Sequence, residues 1–136
     1  EWPSLHLHDA QDTQHVLRGP LIDWKGWRYV ERELVGDACT RWNLPEAVGP
    51  ASLVLSELVG NVVRHAGTPM QVTLTLRRPD LQLAVLDGSR VAARMTMPDL
   101  RAEGGRGLML VRELAQRWGS MPAGDGKVVW AVLPAN

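Results

Sequence analysis

The clearest pattern in the chain is a helical one ending at Ala66. Apolar residues recur at three- and four-residue spacings that gather them on one side of a helix: Leu55, Leu58, Val59, Val62, Val63 and Ala66. Four polar residues share the opposite arc of roughly 100°: Glu57, Asn61, Arg64 and His65. The pattern predicts an amphipathic helix with a narrow polar face, opened by Gly49-Pro50 and capped by Gly67.

Two other stretches have helical spacing. The first begins at Asp23, a candidate N-cap, and ends at Asn43-Leu44-Pro45; its apolar positions are Trp27, Val30, Leu34, Ala38 and Trp42. The second runs from Leu108 to Trp118. We therefore expect three amphipathic helices, with the most specific polar face on the central one.

Alternation of apolar and polar residues predicts strands. Positions 70 to 76 alternate, Arg78-Pro79-Asp80 turns the chain, and residues 81 to 86 return as a more apolar strand. Asp87 has the same two-residue phase as the buried positions of that strand, so its carboxylate needs a partner. Residues 119 to 126 are expected to form a turn before a last strand at 127 to 133, and Leu5 and Leu7 alternate like a half-buried strand.

Composition narrows the class of protein. The chain has 136 residues, of which 45% are hydrophobic, so residues 1–136 are expected to form a single domain. A formal net charge of zero argues against direct binding of nucleic acid or an anionic membrane. One cysteine, Cys39, allows no internal disulfide, and no apolar run approaches the length of a membrane span. A cytoplasmic protein is the expectation.

Two polar motifs suggest phosphate chemistry. A carboxylate at Glu57, one helical turn before the amide of Asn61, suits a site in which the amide oxygen ligates Mg²⁺ and the carboxylate acts as a base. The run Gly104-Gly105-Arg106-Gly107 leads into a helix, where free backbone N–H groups favour an anion. Taken singly, each motif also fits a purely structural role: the first as a solvated helix face, the second as a hinge of small residues.

The succession of these features is more specific than any one of them. The chain has, in this order, the motif Glu-Leu-Val-Gly-Asn-Val-Val-Arg-His-Ala, a strand ending in Asp87, a loop and the motif Gly-Gly-Arg-Gly-Leu-Met-Leu-Val. This succession resembles the histidine-kinase-like (GHKL) ATPase superfamily, which includes gyrase and the sensor kinases. Both sequence motifs are most similar to those of the bacterial anti-sigma-factor serine/threonine kinases. The resemblance covers roughly residues 25 to 133.

The resemblance implies an α/β fold, a two-layer sandwich in which helices cover one face of a mixed sheet. It implies ATP and Mg²⁺ as cofactors, with Glu57 as the catalytic base and Asn61 as the Mg²⁺ ligand. Asp87 would accept a hydrogen bond from the adenine amino group, and residues 90 to 104 would close over ATP. The other expected cofactor-binding residues are His65, Ser89, Gly104, Gly105, Arg106, Gly107 and Leu108.

Members of that family phosphorylate a serine of an anti-anti-sigma (STAS-type) protein and bind a sigma factor, so both are implied partners, with a homodimer left open. The chain departs from the superfamily pattern at Gly60, Val62, Ser89 and Val128, the last standing where a threonine usually helps to hold adenine. Two alternatives therefore remain: a catalytically inactive binding module of the same fold, and an ATPase domain cut from a larger sensor protein.

Overall fold

The computed structural model of the chain describes residues 15–26, 33–89 and 111–135, without the side chains of Trp24 and His65. Its strands are β1 His15–Ile22, β2 Met70–Arg77, β3 Asp80–Asp87, β4 Arg117–Ala123 and β5 Gly126–Pro134. Its longer helices are α1 Val35–Arg41 and α2 Val48–Asn61. Shorter helical segments are Trp24–Gly26, Pro45–Ala47, the π-helical turn Val62–Ala66 and residues 111–114.

The strands form one sheet in the order β1-β2-β3-β5-β4. All four pairings among the described strands are antiparallel, where a mixed sheet was expected. The helices pack on one face, called the inner face below. Its buried apolar residues follow the predicted alternation: Met70, Val72, Leu74, Leu76, Leu81, Leu83, Val85, Val129, Ala131 and Leu133. The expected α/β two-layer sandwich is confirmed.

The central helix α2 has the predicted orientation. Its apolar side is buried in the core at Leu55, Leu58, Val59 and Val62. Pro50 lies in its first turn, where the missing N–H group has no intrahelical partner to lose. Gly67 ends the helical run with φ +65°, and its N–H group donates to the carbonyl oxygen of Val62 at 2.9 Å. The predicted glycine cap is confirmed.

Helix α1 ends as its sequence predicts. Asn43 takes a left-handed conformation with φ 57°, which asparagine tolerates better than most residues. Asp23 caps a short 3-10 turn, accepting a hydrogen bond from the Lys25 N–H group at 2.9 Å. Residues 27–32, over which the long helix was predicted to begin, lie outside the described ranges. Burial raises the pKa of the Cys39 thiol, so this side chain packs in α1 as a neutral apolar group.

Two predictions near the carboxyl end are wrong. The described helix at residues 111–114 ends before Trp118, which instead lies in β4 opposite Ala131. Residues 119–123, expected to form a turn, also belong to β4, and the turn is confined to the two residues Gly124 and Asp125. Pairing with the apolar strand β5 overrides the low strand propensity of glycine and proline here. Within the described ranges, no helix has the length and apolar character needed to span a bilayer.

Candidate functional site

Three segments meet at one end of the sheet, called the Asp87 end below. The register pairs Asp87, the last residue of β3, with Met70 at the start of β2 and with Lys127 at the start of β5. The loop that follows α2 is tied to the same place, because the Thr68 hydroxyl accepts a hydrogen bond from the Gly88 N–H group at 2.8 Å. The carboxyl end of the α2 run therefore lies beside the ends of β3 and β5.

Glu57 and Asn61 lie one turn apart on α2, as predicted. Asn61 is buried, with a relative exposure of 7%, whereas Glu57 is half-buried. The helix becomes π-helical directly after Asn61, a feature frequent at functional sites. Arg64 lies in that π-helical turn, yet its guanidinium still reaches Glu57 on the polar side of the helix.

Arg64 folds back along the helix over Gly60. Its Nη2 atom is 4.0 Å from Glu57 Oε1, and a Cβ atom added at Gly60 would lie 3.1 Å from its Nη1 atom. The missing side chain at Gly60 thus gives the guanidinium its path to Glu57. Both partners of the ion pair are partly exposed, so its contribution to stability is at most about 1 kcal/mol.

This packing predicts how alanine at Gly60 behaves. In an Arg64→Ala background, Gly60→Ala is expected to raise the free energy of unfolding by about 0.5–1 kcal/mol, because alanine is the better helix former. With Arg64 present the gain should be smaller, since the new Cβ displaces the guanidinium from Glu57. Urea denaturation of the four proteins measures the difference. Equal gains in both backgrounds would show that Gly60 does not make room for Arg64.

Asp87 is buried and paired with a lysine. Its Oδ2 atom is 2.9 Å from Lys127 Nζ, and the two side chains have relative exposures of 0% and 8%. Oδ1 accepts a hydrogen bond from the Ser89 N–H group at 2.8 Å. Oδ2 makes the ion-pair contact but no hydrogen bond of good geometry. The partner that the inward carboxylate was predicted to need is Lys127.

Lys127 is a site residue that the sequence analysis missed. By strand alternation it shares the inner face with Val129, Ala131 and Leu133, which the sequence already displays. Val128, compared above with an adenine-binding threonine, is opposite Leu86 on the other face of the sheet. Its side chain therefore points away from the Asp87 carboxylate, and the group that β5 offers to Asp87 is the Lys127 ammonium.

Gly126 was also missed. A Cβ atom there would overlap the carbonyl oxygen of Asp87 and lie 2.8 Å from the Cα atom of Gly88. Only glycine allows the backbones of β3 and β5 to come this close. Thr68 completes the support, its hydroxyl donating to the Pro69 carbonyl at 3.2 Å while it accepts from Gly88. The position of the Asp87-Gly88-Ser89 segment is thus fixed from two sides.

The remaining predicted site residues are outside the described part of the chain. They are Gly104, Gly105, Arg106, Gly107 and Leu108, together with the segment 90–104 expected to close over ATP. The side chain of His65 is likewise not described. From the predicted set, the structure joins Asp87 and Ser89 and adds Lys127, Gly126 and Thr68 around them. Glu57 and Asn61 lie on α2, the helix whose following loop is tied to this segment by Thr68.

A separate cavity of about 310 Å³ lies at the opposite end of the sheet. Its lining comes from Asn43, Leu44, Pro45, Glu46, Ala47, Pro50, Leu114, Leu133, Pro134 and Ala135. Leu133 pairs with Leu81 near the start of β3, six residues before Asp87 along that strand. None of the described residues that line this cavity is a predicted site residue, so the candidate site is the Asp87 end, on the chemistry of its side chains.

Comparison with known protein families gives a match. A family model described as a histidine kinase-like ATPase domain matches residues 31–133, which is most of the chain. A comparison with curated proteins finds no match. The matched range begins before α1 and ends within β5, so it includes the helix with Glu57 and Asn61 and the strand ending in Asp87. The chain therefore belongs to the histidine kinase-like ATPase domain family.

Proposed function

We propose that this protein is an ATP-dependent regulatory protein kinase whose nucleotide site is the Asp87 end of the sheet. Membership of the family implies ATP binding, typically with Mg²⁺. The observation that carries the proposal is the buried carboxylate of Asp87, whose Oδ2 atom is held by Lys127 yet lacks a hydrogen bond. A carboxylate oxygen has more than one lone pair, so beside its contact with Lys127 the buried Oδ2 atom can also accept from the amino group of a purine.

The residues present fit Mg²⁺–ATP. Asn61, the buried last residue of α2, offers an amide oxygen as a metal ligand. One protein oxygen suffices, because phosphate and water oxygens would complete the octahedral coordination of Mg²⁺. When bound, Mg²⁺ neutralises charge that develops on the phosphate oxygens. Glu57, one turn earlier on α2, would orient a hydroxyl and accept its proton, while Asn61 would hold the metal of the phosphate group. Arg64 brings a guanidinium to within 4.0 Å of that carboxylate.

The finer proposal concerns the substrate. The sequence motifs around Glu57 and Gly105 are most similar to those of anti-sigma-factor kinases. We therefore infer that a serine of an anti-anti-sigma (STAS-type) protein accepts the phosphoryl group and that a sigma factor is a second partner. Retention of both Glu57 and Asn61 supports an active enzyme. A binding module without kinase activity is the alternative that the departures at Ser89 and Val128 favour.

Calorimetric titration with ATP and ADP, with and without Mg²⁺, tests the nucleotide site. Asn61→Ala is expected to remove the Mg²⁺-dependent part of the affinity because it removes the metal's protein ligand. Asn43→Gly removes an exposed amide just after α1 and keeps the left-handed backbone of that position, so it is the control and should bind like wild type. If wild-type protein binds neither nucleotide, the proposed function is wrong.

Transfer of labelled γ-phosphate to a STAS-type partner tests the chemistry. Glu57→Gln is expected to keep nucleotide affinity and to lose about 10²–10⁴-fold in transfer rate, the usual contribution of a general base. Arg64→Ala, which removes the partner of the ion pair and leaves the carboxylate, should retain far more activity. Normal transfer by Glu57→Gln would exclude the catalytic role, and no transfer by wild type would favour the binding module.

A further inference from the structure

Lys127 is a buried charge that the proposed chemistry does not use. It lies on the inner face of β5, directly opposite Asp87, and the ion pair with that residue is the contact described for its side chain. Asp87 has no exposed side-chain surface, whereas Lys127 keeps 8%. The small side-chain surface that this pair exposes therefore belongs to Lys127.

The pair offers neighbouring donor and acceptor groups. A lysine ammonium has three N–H donors, and the contact with Asp87 Oδ2 occupies at most one of them. Oδ1 of Asp87 is already engaged by Ser89, so Oδ2 is the oxygen left to accept a further hydrogen bond. Donor and acceptor are 2.9 Å apart, a spacing that suits adjacent groups on the edge of one ring.

We propose that Lys127 is a specificity-determining residue that reads the nucleobase together with Asp87; the proposal rests on the nucleotide-binding function above. On adenine, the 6-amino donor stands beside the N1 acceptor, which matches a carboxylate beside an ammonium. Guanine reverses this order, with an acceptor at O6 and a donor at N1. In the same pose, guanine would set its O6 acceptor against the Asp87 carboxylate and its N1 donor against the Lys127 ammonium. Both contacts are unfavourable, so guanine nucleotides should bind more weakly.

The first test uses wild-type protein and modified ligands, so it does not depend on a variant that folds. Affinities are measured by calorimetry for ADP, for 1-deaza-ADP, in which N1 is replaced by C–H, and for GDP. Loss of the single acceptor at N1 is expected to weaken binding about 10- to 100-fold, the effect of one hydrogen bond to a charged group. GDP should bind more weakly than ADP.

The second test asks whether Lys127 causes that discrimination. Lys127→Met should bind ADP and 1-deaza-ADP equally, whereas Lys127→Arg, which keeps donors, should restore part of the difference. Lys25→Met is the control, because it makes the same change at the chain's other lysine, which is exposed. Folding of each variant is checked by circular dichroism before titration.

The outcomes separate this inference from the proposed function. If wild type binds none of the three nucleotides, the proposed function fails. If it binds ADP and 1-deaza-ADP equally, nucleotide binding stands and the role of Lys127 is overturned. Tighter binding of GDP than ADP would overturn the adenine assignment for this pair.

Discussion

Asp87→Asn is expected to lower the free energy of unfolding by about 3–5 kcal/mol, because it leaves the buried ammonium of Lys127 without its counter-charge. The carboxylate and ammonium are 2.9 Å apart with almost no exposed surface, so water cannot replace the lost partner. Urea denaturation with far-ultraviolet circular dichroism measures the change. The expected effect is several times that of losing the partly exposed Glu57–Arg64 pair.

The double variant Asp87→Asn/Lys127→Met is the control. Replacing both members of a buried ion pair by neutral groups is often neutral or stabilising, so the double variant should recover most of the loss. If it is as unstable as the single variant, the pair is not the reason for the effect. Loss of nucleotide affinity in Asp87→Asn can be assigned to adenine recognition only after this comparison.

Gly126→Ala is expected to destabilise the protein by about 3 kcal/mol or more, the upper range for overpacking. The added Cβ overlaps the carbonyl oxygen of Asp87, and backbone atoms cannot rotate away as the end of a side chain can. The strands β3 and β5 must therefore separate at the Asp87 end. We expect nucleotide affinity to fall with stability, since the same shift moves the Asp87 and Lys127 side chains.

Gly36→Ala is the matched control for this variant. A Cβ at Gly36, in the first turn of α1, has no atom within 4 Å among its described surroundings, so alanine should be tolerated there. Thermal unfolding of the two variants alongside wild type gives the comparison. A Gly126→Ala protein as stable as Gly36→Ala would contradict the close approach of β3 and β5.

Local patterns identified the elements that have strong periodicity. The buried side of α2, the β2–β3 hairpin and the inward phase of Asp87 all follow from spacings of three to four or two residues along the chain. Gly67 was predicted as a cap because left-handed backbone conformations favour glycine, and Asn43-Leu44-Pro45 was predicted to end a helix by its residue types. Each of these features depends on residues close together in sequence.

The strand β4 shows where local patterns failed. Gly119 and Pro122 have low strand propensity, and Trp118 continues the apparent helical spacing of the preceding residues. In the fold, β5 supplies the pairing that holds these residues extended, and the Trp130 ring lies across Gly119, with Cζ2 2.9 Å from where a Cβ would be. Trp130 lies on the next strand, beyond the turn at Gly124 and Asp125, so the periodicity within β4 does not reveal this interaction.

By itself, the sequence determined which residues turn inward, because burial depends on the phase of each helix or strand. It thereby placed Glu57 and Asn61 on one helix edge and Asp87 on the inner face. Only the tertiary structure decided which inward residues meet, because the register of β3 against β5 selects Lys127 as the partner of Asp87. The same register brings Gly126 against Asp87, a contact that depends on backbone approach and leaves no periodic signal in the chain.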